Sequence, residues 1–157
     1  MEQRTQEVIV SLIASLSRDV PLEIRAKAEQ GTALEAVCRR HDLPQLSALL
    51  ISIFGPPLKP FDQPVRLSRA IQEVIHPLGG IRREQCLFLK WFDTQHAGYA
   101  ALWPWRSDPD CVTVKIGVVD SPAPVERVKP QGGPHPSWRD RFFRWLCAVS
   151  PSLWVAG

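Results

Sequence analysis

The sequence predicts an α+β fold with one globular domain over residues 1–120. Apolar side chains recur with helical spacing in the first half and alternate with polar ones in the second, and a proline-rich stretch separates the two patterns. The 157 residues, 45% of them hydrophobic and 22% charged, are enough to bury a core. We therefore expect helices over residues 1–54 and 66–76, a three-stranded antiparallel β-meander over 85–120, and a C-terminal amphipathic helix on a proline-rich arm.

The first predicted helix carries an apolar stripe of period 3.6, formed by Val8, Ile9, Leu12, Ile13 and Leu16. It should end before Pro21, because the residue that precedes a proline leaves the helical conformation. A second, short helix is predicted from Pro21 to Gln30, with proline in its first turn and Gly31 as the C-terminal cap.

Residues 32–54 are predicted to form a helical hairpin. Thr32 and Glu35 make a capping box at its start, and Asp42 begins the second helix. The pattern is similar to a helix-turn-helix, whose second helix reads DNA in the major groove. Here that helix, "PQLSALLISIF", has no arginine, lysine or asparagine for hydrogen bonds to base edges. We therefore expect a packed hairpin that does not read DNA.

After a proline-rich connector at 55–64 and the helix at 66–76, the period of the pattern changes to two. Three segments alternate apolar and polar residues, "QCLFLKWFD" (85–93), "GYAALWPW" (98–105) and "CVTVKIGVVD" (111–120). Their short links predict an antiparallel meander with one face packed on helices.

The last part of the chain is divided into an arm and a helix with its tail. Residues 121–136 hold five prolines and two glycines, a composition typical of an extended arm. Residues 137–157 begin with a predicted helix whose aromatic and aliphatic side chains share one arc, Trp138, Phe142, Trp145, Leu146 and Val149. This helix could cover the chain's own sheet, enter a groove on a partner, or lie on a membrane or nucleic acid.

No catalytic motif, metal site or cofactor site is predicted. Cys38 and His41 are three residues apart but lie on an apolar stripe, which favours a core thiol over half of a zinc site. Cys86 and Cys111 should lie at the end of the meander far from His96, which argues against a nucleophile–base pair. The polar N-terminus lacks a secretory signal and no apolar run is long enough to cross a membrane, so we expect reduced thiols and a cytoplasmic location.

The aromatic strand is the main functional candidate. Tyr99, Ala101, Trp103 and Trp105 alternate along it, with Arg106 next in sequence. Such a row could be core, a protein interface enriched in tryptophan and arginine, or a platform on which bases stack. The basic excess at 127–157, five basic residues against one acidic, is compatible with either kind of partner.

The function predicted from these observations is a non-catalytic protein-interaction module, such as an adaptor, assembly factor or inhibitor. Its partner-binding residues are Trp103, Trp105, Arg106, Arg139, Phe143 and Arg144. The alternative is a small nucleic-acid-binding protein that uses a different set, Lys90, Trp91, Tyr99, Trp103, Arg106 and Lys115. An enzyme is the third hypothesis; the sequence defines neither the partner nor the oligomeric state.

Overall fold

The computed structural model of the protein describes residues 2–28 and 33–120. In chain order its elements are helix α1 (Glu2–Asp19), strands β1 (Leu22–Lys27) and β2 (Leu34–Arg39), a 3-10 turn (Arg40–Asp42), helices α2 (Leu43–Phe54) and α3 (Arg69–Ile75), a second 3-10 turn (His76–Leu78), and strands β3 (Cys86–Trp91), β4 (His96–Pro104) and β5 (Cys111–Asp120). In these described ranges, no helix combines the length and apolar character that crossing a bilayer requires.

The sheet has five antiparallel strands in the order β1-β2-β5-β4-β3, so the predicted three-stranded meander is wrong. The predicted helix at Pro21–Gln30 and the first half of the predicted hairpin at 32–54 are strands β1 and β2. Side chains of β2 alternate between the faces with period two, and those of β1 do so up to a β-bulge between Ile24 and Ala26. Strand β2 pairs along its whole length with β5, from Leu34 opposite Ile116 to Arg39 opposite Cys111. This long-range pairing outweighs the local helix signals.

The other elements between residues 2 and 120 agree with the sequence patterns. Helices α1, α2 and α3 lie where the sequence has apolar stripes, and β3, β4 and β5 lie in the three segments predicted as strands. Helix α2 is the second half of the predicted hairpin, and its partner is a strand. The arm at 121–136 and the C-terminal helix at 137–157 lie outside the described residues, so that division of the chain stays a prediction.

Helices α1 and α2 cover one face of the sheet, here called the inner face. Its side chains alternate along every strand, and they form one core with buried residues of α1 and α2, including Ile9, Leu16 and Leu50. Burial of this apolar surface is the main stabilising contribution to the fold. Gln45 Nε2 of α2 donates a 2.6 Å hydrogen bond to the carbonyl oxygen of Asp19, which joins the two helices where α1 ends.

Helix α3 covers only part of the opposite, outer face. Ile71 and Ile75 pack on Leu87 and Ala101, and Val74 packs on residues of β4 and β5. Ser68 accepts a hydrogen bond from the amide of Ile71 and so caps this helix at its start. The outer face of β2 and the first half of β5 are left without a helix among the described residues, and partly exposed side chains lie there.

The two edges of the sheet differ. At β3, residue Lys59 of the connector forms a bridge with Leu87, in which each amide donates to the other's carbonyl oxygen at 2.8 and 3.1 Å. The Lys59 side chain is 2% exposed, and its ammonium donates to the carbonyl oxygens of Arg83 and Gln85. Burial lowers the pKa of Lys59 to about 8. At β1, by contrast, no other described segment pairs with the outer edge.

Gly98 of β4 lies directly under side chains of α1 and α2. A Cβ atom there would lie 2.7 Å from Phe92 Cε2, 2.8 Å from Ile9 Cδ1 and 3.3 Å from Phe54 Cε1. We expect Gly98→Ala to lower the free energy of unfolding by about 1–3 kcal/mol, because overpacking displaces side chains of α1, of α2 and of the β3–β4 turn. Gly117→Ala is the matched control, since the three atoms nearest to its Cβ would all belong to the Tyr99 side chain, at 3.0–3.2 Å. In urea unfolding, Gly98→Ala should have a lower free energy of unfolding than Gly117→Ala. The reverse order would contradict this packing.

Lys59 should make stability depend on pH above neutrality. Its pKa is lowered from 10.5 to about 8 in the folded chain, so the unfolded chain binds more protons between these values. The contribution of Lys59 to the free energy of unfolding therefore rises as the pH rises from 8 to 10.5. We expect the free energy of unfolding of the wild type to rise relative to that of Lys59→Met across this window. The titration of the cysteines, which both proteins contain, cancels in this difference. A constant difference in urea unfolding would show that Lys59 titrates normally.

Candidate interaction surface

Two tryptophans lie beside β5, on or at the margin of the part of the outer face that no described helix covers. Trp103 lies opposite Thr113, and Lys115 lies opposite both Ala101 and Glu35. All these side chains point to the outer face because successive residues of a strand alternate between faces. We call the five residues that form this surface the tryptophan patch, namely Glu35, Trp103, Trp105, Thr113 and Lys115.

Lys115 connects the two sides of the patch. Its Nζ lies 4.5 Å from the centroid of the Trp103 ring and 3.3 Å from Glu35 Oε2. The ammonium thus takes part in a cation–π contact and an ion pair at the same time. Trp103 also packs against the cluster under α3, and its Nε1 is buried with no hydrogen-bond partner among the described residues. The ring is therefore held between the covered and the uncovered halves of the outer face.

Trp105 lies just beyond the end of β4 at Pro104 but stays close to β5. Its amide donates to the carbonyl oxygen of Cys111 at 3.0 Å, and its Nε1 donates to Thr113 Oγ1 at 2.7 Å. Backbone and side chain are both fixed, so the ring has a defined position although the residue is partly exposed. Proline cannot donate a ladder hydrogen bond, which is why the regular strand ends here.

The cations around the patch have carboxylate neighbours. Arg106 Nη2 lies 3.5 Å from Glu84 Oε1, and Arg39 Nη1 lies 3.8 Å from Asp108 Oδ2. With the Lys115–Glu35 pair, three cations at this surface are each balanced by an acid of the same chain. The patch is therefore surrounded by ion pairs, and its surroundings carry no strong net charge.

Cys111 lies between two of these charges. Arg39 Nη1 donates to its sulfur at 3.1 Å, and the thiol donates to Asp108 Oδ2 at 3.2 Å. This donation to the carboxylate raises the pKa of Cys111. Burial raises the pKa of Cys38 to about 12 and raises that of Cys86 as well. Thiols with raised pKa values are poor nucleophiles at neutral pH.

His96 lies at the other end of the sheet from Cys86 and Cys111. It pairs with Asp120, whereas Cys86 pairs with Leu102 and Cys111 pairs with Arg39. Its Nδ1 is 2.9 Å from Asp93, whose Oδ1 also accepts the amides of Gln95 and His96. The Asp93–His96 contact thus belongs to the β3–β4 turn, and the register separates this base from both thiols.

The residues of the predicted nucleic-acid site are divided between both faces of the sheet. Lys90 lies on the inner face, where its Nζ donates to the carbonyl oxygen of Ile53 at 2.8 Å. Trp91 and Tyr99 pack with Val74 under α3. Only Trp103, Arg106 and Lys115 of that set lie at or beside the patch. Of the predicted partner-binding set, Trp103, Trp105 and Arg106 lie together, while Arg139, Phe143 and Arg144 are outside the described residues.

The chain matches no protein-family model, no curated protein and no solved structure. Its function is therefore inferred from the geometry of its own residues.

Two members of the patch, Glu35 and Thr113, were absent from the predicted sites. Glu35 was placed in a helix by its capping-box spacing to Thr32, although Leu34, Ala36 and Cys38 alternate with Glu35, Val37 and Arg39. That period-two alternation is the signal that could have found it. Thr113 could be found only from its register opposite Trp103.

The Trp105–Thr113 hydrogen bond should contribute about 0.5–1.5 kcal/mol to stability. Trp105→Phe removes the donor and keeps a large ring, and Thr113→Val removes the acceptor and keeps the shape. Either single change should lower the free energy of unfolding, and the double variant should lose less than the sum, because the second change has no hydrogen bond left to break. Urea unfolding of the four proteins tests this cycle; purely additive losses would mean that the bond is energetically silent.

Proposed function

We propose that this chain is a non-catalytic protein-interaction module, acting in the cytoplasm as an adaptor, assembly factor or inhibitor, and that the tryptophan patch with Arg106 is its binding surface. The observation that carries the proposal is the unequal cover of the sheet. Among the described residues, two helices close the inner face and α3 covers part of the outer face. Trp105 lies on the remainder and Trp103 at its margin, and both are partly exposed.

The patch has the composition and rigidity of a protein-binding surface. Tryptophan and arginine are the residues that most often dominate the binding energy of protein interfaces. Trp105 is held by two hydrogen bonds, and Trp103 by packing and by the Lys115 ammonium. A surface that is already ordered loses little conformational entropy when a partner binds.

The charge distribution favours a protein partner over a nucleic acid. Nucleic-acid affinity comes largely from cations that neutralise phosphates, yet Arg39, Arg106 and Lys115 each lie within 4 Å of a carboxylate of the same chain. Phosphates would have to displace or approach these acids. A protein partner can instead cover the rings and leave the rim ion pairs in place.

Site-directed photo-crosslinking of the full-length chain tests the proposal. Ser107, exposed and next to Arg106 in sequence, is replaced by benzoylphenylalanine, and Glu7, exposed on α1 on the opposite side of the sheet, is replaced in a matched control. In lysate of the native source, irradiation should give a discrete protein adduct at position 107 and none at position 7. The adduct at 107 should disappear in the Trp105→Ala background, provided that circular dichroism shows an intact fold.

Adducts that form equally at both positions, or that persist without Trp105, would contradict the proposal. Fluorescence anisotropy with labelled oligodeoxythymidine tests the alternative that the chain binds nucleic acid. We expect no binding at physiological ionic strength. Binding that is lost on Trp105→Ala and falls steeply with salt would favour the alternative, because counterion release makes phosphate contacts salt-dependent.

A further inference from the structure

We propose that the outer edge of β1 binds the same edge of a second copy of the chain, in one antiparallel register centred on Ile24, so that two sheets join into one. The inference does not use the tryptophan patch, which lies on the outer face of β2, β4 and β5 and not on the edge of β1. It rests on the open edge at β1, on the exposure of Ile24 and on the order of charges along the strand.

The edge at β1 is open, in contrast to the edge at β3. Five of the six residues of β1 are exposed, and no described segment pairs with its outer side. An edge strand turns a row of unpaired amides and carbonyls outwards and can therefore accept another strand. The Lys59–Leu87 bridge prevents this at β3.

Ile24 provides the apolar centre of the contact. It is 48% exposed, more than any other large hydrophobic side chain in the described ranges. It lies opposite the buried Ala36, and therefore on the inner face at the margin of the core. In an antiparallel pair with a two-fold axis at Ile24, the two isoleucines are direct neighbours on that same face.

The charges of β1 select this register. With Ile24 opposite its own copy, Glu23 faces Arg25 of the second chain on both sides of the axis. A shift of the axis by one residue places either Glu23 opposite Glu23 or Arg25 opposite Arg25, and like charges directly opposite each other are unfavourable. The second shift also brings Glu23 opposite Lys27, but the bulge puts Lys27, which pairs with Leu34, on the inner face, whereas Glu23, which pairs with Val37, lies on the outer face. Glu23 Oε1 and Arg25 Nη2 already lie 2.9 Å apart within one chain, so both groups are on one face and can form a four-membered ion-pair network across the axis.

The β-bulge between Ile24 and Ala26 limits the length of the contact. A bulge increases the local twist of a strand, and an edge with a bulge and the charged Lys27 resists long, unspecific pairing. The contact is therefore short and buries less than the roughly 1,200 Å² of a stable interface. We accordingly expect a weak dimer whose population depends on protein concentration.

Cysteine crosslinking of the full-length chain tests the register. Ile24→Cys is made in a Cys147→Ser background, because Cys38, Cys86 and Cys111 are buried. Directly opposed residues have the separation that a disulfide requires, so mild oxidation should give a covalent dimer. Lys27→Cys is the matched control on the same strand, since in this register the two Lys27 positions are roughly 20 Å apart. Crosslinking of both variants to the same extent would overturn the register.

Charge exchange tests the same contact without a covalent bond. Glu23→Arg and Arg25→Glu should each raise the dimer dissociation constant about tenfold, because two attractive pairs become repulsive, and the double exchange should restore it. Sedimentation equilibrium up to about 1 mM protein measures these constants, and thermal unfolding checks each fold. A monomer at every concentration, no restoration in the double variant, or loss of the dimer on Trp105→Ala would overturn the proposal.

Discussion

The antiparallel pairing of β2 with β5 joins the two halves of the chain, and the other features of the structure depend on it. It brings residues 34–39 beside residues 111–116, more than 70 positions apart in sequence for the pair Arg39 and Cys111. Through it strands β1 and β2 share one inner face with strands β3, β4 and β5, so that α1 and α2 close a single core. Because β5 occupies the middle of the sheet, β1 and β3 become its edges.

The unequal cover of the two faces follows from the dimensions of the elements. A helix is about 10 Å across and neighbouring strands are about 4.8 Å apart, so one helix covers roughly two strands. Helices α1 and α2 together cover the inner face, whereas α3 is the only α-helix among the described residues on the outer side. It packs on residues of β3, β4 and the last part of β5, and Trp103 near the end of β4 is consequently at the margin of its cover.

Several polar groups of the described residues have structural roles. Lys59 closes one sheet edge, Asp93 and His96 order a turn, and Lys115 fixes an aromatic ring. The pKa values of Cys38, Cys86 and Cys111 are all raised, by burial or by a hydrogen bond to a carboxylate. These arrangements are consistent with a chain that recognises a partner through a preformed surface, which is the function that we propose.

The sequence by itself determined the elements whose apolar period is clear over many residues, namely α1, α2, α3 and the strands β3, β4 and β5. It also determined that Trp103 shares a face with Tyr99, because alternation acts locally. Only the tertiary structure decided that residues 22–27 and 34–39 are strands. Their Glu, Arg, Lys and Ala residues favour helices, and Pro21 and Gly31 have the spacing of helix ends, so the local signals competed with the period-two alternation. Pairing with β5 decides between them, since its free energy comes from residues far away in the sequence. The same pairing places Glu35 beside Lys115, and thus completes a surface of which the sequence showed only the tryptophans.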